Sequence, residues 1–556
     1  MSDQQPPAGT PEYLDSAGGA WVPPGPGEAP TDRRSRRTTW LVGGGVVGLL
    51  ALGAGAWAAL SFFQQGSQPA EALPSTTVAY ASVDLDPSGS QKIDAFRTLN
   101  KFPAFQDKVG IHSVDDVRQK LGDELIKSLG CDGLTFGHDI DPWLGNRAAV
   151  AAVDLGRPNP EPVSVVQVTD DGKAEDALKK LVTCSGSQSD VFYAVHDGWA
   201  VFAGSQQTVD QVVSDTDHAS LADDATYQKW TKATGDSGVV TLYAAPAAGD
   251  YLAHQLGGLE SDLGGLGIPT DPSQLGASSR YATSSAYHST LTTDTSGLDR
   301  VLKDFQGAAA TIRFTGNGLE LATVSDPSLS QSSLASDQGG AVVQNLPDDT
   351  AAAIGIGLQS GWLADFADRI AQYSGDGDGQ HLLDKLGAES GLDLPGDVET
   401  LLGSSTAISI SKDFDFEAAS MSKDGTGVPV AVTVKGDPAA IDKVLQKIRA
   451  QDPGTAALDT DASGDLVAMG PTPAYRQEVL AGGHLGDSEA FRGVIPDAGD
   501  AGVVVFVDFN DLDKLVSQLA SGDQQVVDNL APLSALGFSS WMDGDVARMS
   551  LKVSTD

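Results

Sequence analysis

Cysteine and histidine are scarce, with two and eight in 556 residues. Two cysteines exclude a Cys₄ zinc site and a multi-bridge disulfide scaffold. Basic residues are few as well: 35 Lys and Arg stand against 75 Asp and Glu, a formal net charge of −40. Repulsion at that charge opposes non-specific binding to nucleic acid or to an anionic membrane surface. The histidines form no His-x-x-x-His or His-Glu pair, so a zinc site would need convergence from distant positions. No glycine-rich phosphate loop follows an apolar strand, which leaves nucleotide binding without support. What is present is 40% hydrophobic and 20% charged residues, enough to bury a core, in a length that allows several domains.

Residues 1–39 are rich in Pro, Gly and Ala and show no apolar periodicity, so they read as a disordered cytoplasmic tail. The tail ends in Arg33, Arg34, Arg36 and Arg37. Residues 40–63 then run for 24 positions without a charge, and a helix of about 36 Å would cross a hydrocarbon core of roughly 30 Å. This predicts a single-pass transmembrane helix, with the four arginines setting the topology. The N-terminus would be cytoplasmic and the C-terminal ectodomain would lie outside the cell membrane. A cleaved signal peptide is disfavoured by the long charged region before the apolar run. Gly44-x-x-x-Gly48 and Ala51-x-x-x-Gly55 would let two spans pack as a homodimer.

The remainder carries an internal duplication. Leu73-Pro74 before one apolar run matches Leu346-Pro347 before another. Pro162-Val163 matches Pro429-Val430, Leu178 and Leu181 match Leu445 and Ile448, Tyr227 matches Phe491, and Val239-Val240 matches Val503-Val504. Each copy closes on a hairpin signal, Asn317-Gly318 and Asp543-Gly544. The order of matches is kept throughout with slowly drifting offsets, as in a tandem pair of domains. The expected organisation is a linker at 64–72, repeat one at 73–326, a linker at 327–341 and repeat two at 342–556. Repeat one has about 35 extra residues after Ala245, judged by the drop in offset.

The fold class is α+β: an antiparallel sheet with helices, duplicated in tandem. Within repeat one, residues 163–168, 191–195, 200–203 and 239–244 read as strands, and 173–182 and 206–213 as helices. The order β-α-β-β-α-β predicts a ferredoxin-like split unit in each copy. Trp230 and Trp541 read as core or sheet-face residues.

Motifs with chemical potential are weak. Gly235-Asp236-Ser237-Gly238 is similar to a serine-protease nucleophile turn, but the following residue is Val239 and repeat two has no hydroxyl there. Ser420-Met421-Ser422-Lys423 fits a Ser-x-x-Lys pattern without its companion motifs, and its flanks read as a hairpin loop. Asp84-x-Asp86-x-Ser88-Gly89 and Asp459-x-Asp461-x-Ser463-Gly464 resemble the start of a calcium loop, but neither has the closing Glu. No catalytic residue, cofactor or metal ligand is therefore assigned.

Cys131 and Cys184 both belong to repeat one and have no counterparts in repeat two. Placed outside a membrane, where thiols are not kept reduced, they are expected to form a disulfide that ties a long loop to a helix end.

The Pro-rich tail, arginine cluster and Gly/Ala-rich run, with Leu73-Pro74, Asp141-Pro142-Trp143-Leu144-Gly145 and the helix around Leu178, give the chain a resemblance. It is similar to an uncharacterised family of membrane-anchored proteins of high-GC Gram-positive bacteria, catalogued as a domain of unknown function. That resemblance implies no activity. The expected function is a membrane-anchored, non-enzymatic binding or interaction module of the cell envelope, with an unknown protein or envelope ligand as partner. A carrier for an apolar molecule and an unrecognised hydrolase are the alternatives.

Overall fold

The computed structural model describes residues 67–84, 89–103, 126, 131, 133–184, 192–251, 302–327, 337–374, 378–422, 425, 427–451, 459–512 and 524–556. Their strands form one antiparallel sheet of sixteen. The first half contributes β1 (Thr77–Asp84), β2 (Leu144–Val153), β3 (Glu161–Val168), β4 (Phe192–His196), β5 (Trp199–Ala203), β6 (Val240–Ala244), β7 (Ala308–Thr315) and β8 (Gly318–Ser325). The second contributes β9 (Thr350–Gly357), β10 (Ser405–Ser411), β11 (Val430–Lys435), β12 (Thr460–Ser463), β13 (Leu466–Met469), β14 (Val503–Asp508), β15 (Leu533–Asp543) and β16 (Val546–Thr555). The order across the sheet is β12-β13-β11-β10-β9-β14-β15-β16-β8-β7-β6-β1-β2-β3-β5-β4. Each half repeats the other's order, and the two meet where β8 pairs with β16.

The halves correspond residue by residue. Tyr80 pairs with Ala151 on one side and Tyr243 on the other; Ala353 pairs in the same way with Ser409 and Phe506. Two of the sequence matches need a correction of one position. Val163 pairs with Ala151, and the residue in its place opposite Ser409 is Ala431, not Val430. By the same register, Val240 corresponds to Val503 rather than Val504. A slip of one residue turns a side chain to the other face, so these corrections decide which residues share the core. The closing turns shift too. Thr315 pairs with Gly318 and Asp543 with Val546, leaving Gly316-Asn317 and Gly544-Asp545 as the turn residues.

The described helices are α1 (Gly89–Leu99), α2 (Asp171–Cys184), α3 (Gln206–His218), α4 (Ala225–Ala233), α5 (Gly339–Val343), α6 (Trp362–Ser374), α7 (Gly379–Ser390), α8 (Gly396–Leu402), α9 (Phe416–Met421), α10 (Pro438–Gln451), α11 (Pro473–Ala481), α12 (Glu489–Val494) and α13 (Gln524–Leu530). Local chemistry starts several of them. Ser205, Asp224 and Ser488 each accept a hydrogen bond from a backbone N–H three residues on, at the first turns of α3, α4 and α12. In α2, Ala174, Ala177 and Leu178 are buried at helical spacing.

One sheet face is covered along its length by helices of both halves. Val212 and Trp230 pack there with Tyr80, Val163 and Val165. Val343, Tyr475 and Phe491 pack equivalently with Ala353, Ala431 and Phe506. Trp230 is buried and donates its indole N–H to the Gln306 carbonyl at 3.0 Å. Trp541 is half-buried on β15.

Three further expectations are corrected. The split unit is present only in part: β5 lies between β3 and β4, but β6 is separated from β3 by β1 and β2. The expected linkers hold core residues. Pro69, Ala70 and Ala72 are buried, as are Gly339 and Gly340 of α5. These small residues permit close approach, since a Cβ on Gly340 would collide with the Ala498 carbonyl and one on Gly355 with that of Gly339. Finally, among the described residues no helix is long and apolar enough to cross a membrane. The expected single-pass anchor, its membrane location and topology, and a homodimer through it are therefore withdrawn. The segment on which they rested, 40–63, lies outside the described residues, as do Arg33, Arg34, Arg36 and Arg37 and most of the extra segment after Ala245.

Candidate functional site

Among the described residues, the opposite face of the sheet is covered over β7 by α1 and over β11 and β13 by α10, and open between these covers. In the first half, α1 inserts Ala95 against Phe314 beside Ile312 and Val240. Gln91 of α1 ties the helix to β7, donating to the Phe314 carbonyl at 2.6 Å and accepting from its N–H at 2.9 Å. In the second half, Ile441 of α10 is buried with Val434 and Val467, and Val432 and Leu401 pack beside them.

Between these covers runs an apolar floor. Ile408, Ile354, Val505, Phe538, Leu551 and Leu321 are successive cross-strand partners over six strands. Two residues along each strand, Ile410, Ala352, Val507, Leu536, Val553 and Leu319 form a second row. Side chains two apart share a face, so the rows lie side by side. None of the twelve is buried. Ile354 is 42% exposed, Ile408 45% and Leu319 38%. Single exposed hydrophobics are ordinary; a contiguous set marks an interaction surface.

The first half does not share this surface chemistry. By the register correspondence, Ile408, Ile354, Val505, Phe538 and Leu551 fall on Val150, Ala81, Leu242, Ala310 and Thr323. Ile410, Ala352, Val507, Leu536 and Val553 fall on Ala152, Ala79, Ala244, Ala308 and Ser325. There the small residues make room for a segment of the chain: Ala248 and Phe305 are buried against Ala244 and Ala308.

Helices α6, α7 and α8 join β9 to β10, the strands carrying Ile354 and Ile408. Ala367, Ala371 and Leu383 are buried in the α6–α7 pair, while Phe366, Ile370 and Leu386 remain exposed. Asp378 accepts from the Gln380 N–H to start α7. The group is pinned to α10 by Lys447, whose ammonium lies 2.7 Å from Asp393 and 2.8 Å from Asp397. Burial alone would raise the Asp397 carboxyl; the Lys447 ammonium and the Asp393 N–H outweigh it and hold it below the usual carboxylate range.

The residues singled out from the sequence sit elsewhere. Cys131 and Cys184 are joined in a disulfide with Cα atoms 5.6 Å apart, tying the buried Cys131 to the exposed end of α2. Ser237 is exposed in the turn before β6, where Arg313 donates to the Asp236 carbonyl. Ser420 lies near the end of α9, not in a hairpin loop, and donates its hydroxyl to the Glu417 carbonyl; Lys423 is outside the described residues. Asp84 and Asp461 of the calcium-like turns are held by arginines, Arg147 at 3.0 Å and Arg476 at 2.8 Å.

One grouping escaped the sequence reading. His196 and Asp197 at the β4 turn meet Asp217 at the end of α3, with ligand atoms within 4.8 Å of one another. The His196–Asp217 hydrogen bond is 2.9 Å long. All three side chains are solvent-accessible, and an exposed carboxylate–imidazole pair of this kind is adequately explained as a surface contact. Its only signal was the hairpin at Asp197-Gly198, which brings β4 back beside α3. The apolar floor was equally hidden, because its partners are set by strand order.

Comparison with known proteins adds a family and no activity. The model of a family described as protein of unknown function (DUF3352) matches residues 41–193 and again residues 182–412. No curated protein and no solved structure matches the chain.

Proposed function

The chain belongs to the DUF3352 family of proteins of unknown function, and we propose that it acts as a non-enzymatic binding module through the open apolar face formed by five strands of its second half and β8 of its first. The carrying observation is the double row of unburied Ile, Val, Leu, Phe and Ala side chains across six strands, whose five second-half strands have mainly small residues at the matching positions of the first half. The repeated strand order and the double family match support descent of both halves from one duplicated unit. One copy kept a filled face and the other an open one, which is how duplication frees a scaffold for binding.

The test uses the full chain and Nile red, an uncharged dye that fluoresces in apolar surroundings. The native chain is expected to enhance its emission saturably. The double variant Ile354→Gln/Phe538→Gln should lose most of that enhancement, while Leu242→Gln on the first half should keep it. Equal retention in both variants, with unchanged circular dichroism, overturns the reading.

A further inference from the structure

We infer that the open face is a site for a single linear hydrocarbon chain, such as the acyl chain of an uncharged monoacyl lipid, bound across the strands. The inference rests on the binding role proposed above and names its ligand class.

Shape comes first. Six strands at about 4.8 Å spacing and two rows about 7 Å apart give a floor of roughly 29 by 14 Å, or about 400 Å². A stable protein partner needs about 800 Å² on each side, twice what the floor offers. A second copy of this chain is opposed further by its own net charge of −40. A hydrocarbon chain fits instead. At about 1.25 Å of advance per carbon along a zigzag of roughly 1.5 Å bonds, about 23 carbons would span the floor, so a chain of about 16–20 carbons lies within it.

Chemistry agrees with shape. No side chain in either row can donate or accept a hydrogen bond. The backbone groups of these strands are engaged in the ladder on both sides. A peptide laid here would lose water from its amides without replacement, at a cost of about 1–3 kcal/mol for each one buried. A methylene chain loses nothing of that kind, and each buried CH₂ contributes about 0.8 kcal/mol. The ends are bounded by α1 over Phe314 and α10 over Val434, which limits the length that can lie flat.

Displacement of Nile red from the full chain by monoacylglycerols of 6, 10 and 16 carbons, each below its aggregation concentration, tests this. Affinity should rise at least 100-fold from the shortest to the longest, with one molecule bound per chain. Ile354→Gln/Phe538→Gln should weaken the longest ligand at least tenfold, and Leu242→Gln should not. Length-independent displacement, ligand-free dimerisation through this face, or binding only to uncharged phosphatidylcholine vesicles overturns the inference. If the dye binds the face but no monoacylglycerol displaces it, the ligand class is wrong and the binding role stands. If the dye itself does not bind there, both fall.

Discussion

Ala322 and Ser550 are cross-strand partners in the middle of the sheet, and each is the other's counterpart in the two halves. Each stands five residues beyond its hairpin turn, on β8 and β16 respectively. A residue can pair with its own counterpart only where a two-fold relation passes through the pair. The sixteen strands are thus two copies of an eight-stranded sheet joined edge to edge, antiparallel, about that point. Joining hides the β8 and β16 edges, which would otherwise offer unpaired backbone groups to other chains.

That seam predicts a stability hot point. Glu320 on β8 is buried and accepts from Arg313 Nε at 2.7 Å and from the Ser550 hydroxyl at 3.0 Å, with Lys552 Nζ 3.7 Å away. Removing one partner of a buried ionic network leaves the others uncompensated. Glu320→Ala is expected to destabilise the chain by about 3 kcal/mol in urea unfolding. It should also separate one transition into two, since the network bridges both halves. A loss below the measurement error would show the seam to be held by backbone pairing alone.

The disulfide gives a second expectation. Closing the loop between Cys131 and Cys184, 53 residues apart, stabilises by roughly 4 kcal/mol in the chain-entropy model, less any strain. Thermal melts with and without reductant should differ accordingly. Maleimide labelling in denaturant without reductant should yield no labelled thiol, and two labels would mean that the bridge does not form.

Ser539 offers a stabilising change. It is fully buried, and its hydroxyl has no hydrogen-bond partner among the described residues. Alanine removes that uncompensated group with little loss of volume. Ser539→Ala should raise stability by about 1 kcal/mol, read from the denaturation midpoint. A drop would indicate a partner for the hydroxyl.

The Asp397–Lys447 pair makes stability depend on pH in a definite direction. The folded state holds the Asp397 carboxyl below its usual value, so the native chain binds fewer protons there than the unfolded chain. Its contribution is complete above the ordinary aspartate value near 4 and is lost as pH falls through the lower, folded one. Asp397→Asn should therefore be less stable than the native chain at pH 7, and the gap should close as pH is lowered through the acid range. A gap independent of pH would remove the ionic explanation.

Strand and helix placement followed directly from periodicity. Residues expected as a helix at 173–182 form α2 over Asp171–Cys184, and the hairpin expected around Asp197-Gly198 is β4–β5. Both depend on neighbours a few positions apart. The linkers were misread for an equally local reason: Gly339 and Gly340 look like a flexible connection by composition, and only the Ala498 and Gly502 carbonyls packed against them show why side chains are excluded.

By itself, the amino-acid order determined the α+β class, the recurrence of one pattern and the type of most elements, because those arise from interactions short in sequence. Tertiary structure alone decided that both halves share one sheet, that β1 and β2 separate β6 from β3, and that twelve unburied apolar residues line up across six strands. In the sequence, Ile408, Ile354 and Val505 are merely hydrophobic residues of buried-looking strands. Whether such residues are covered depends on where helices from other parts of the chain come to rest, and periodicity does not encode that.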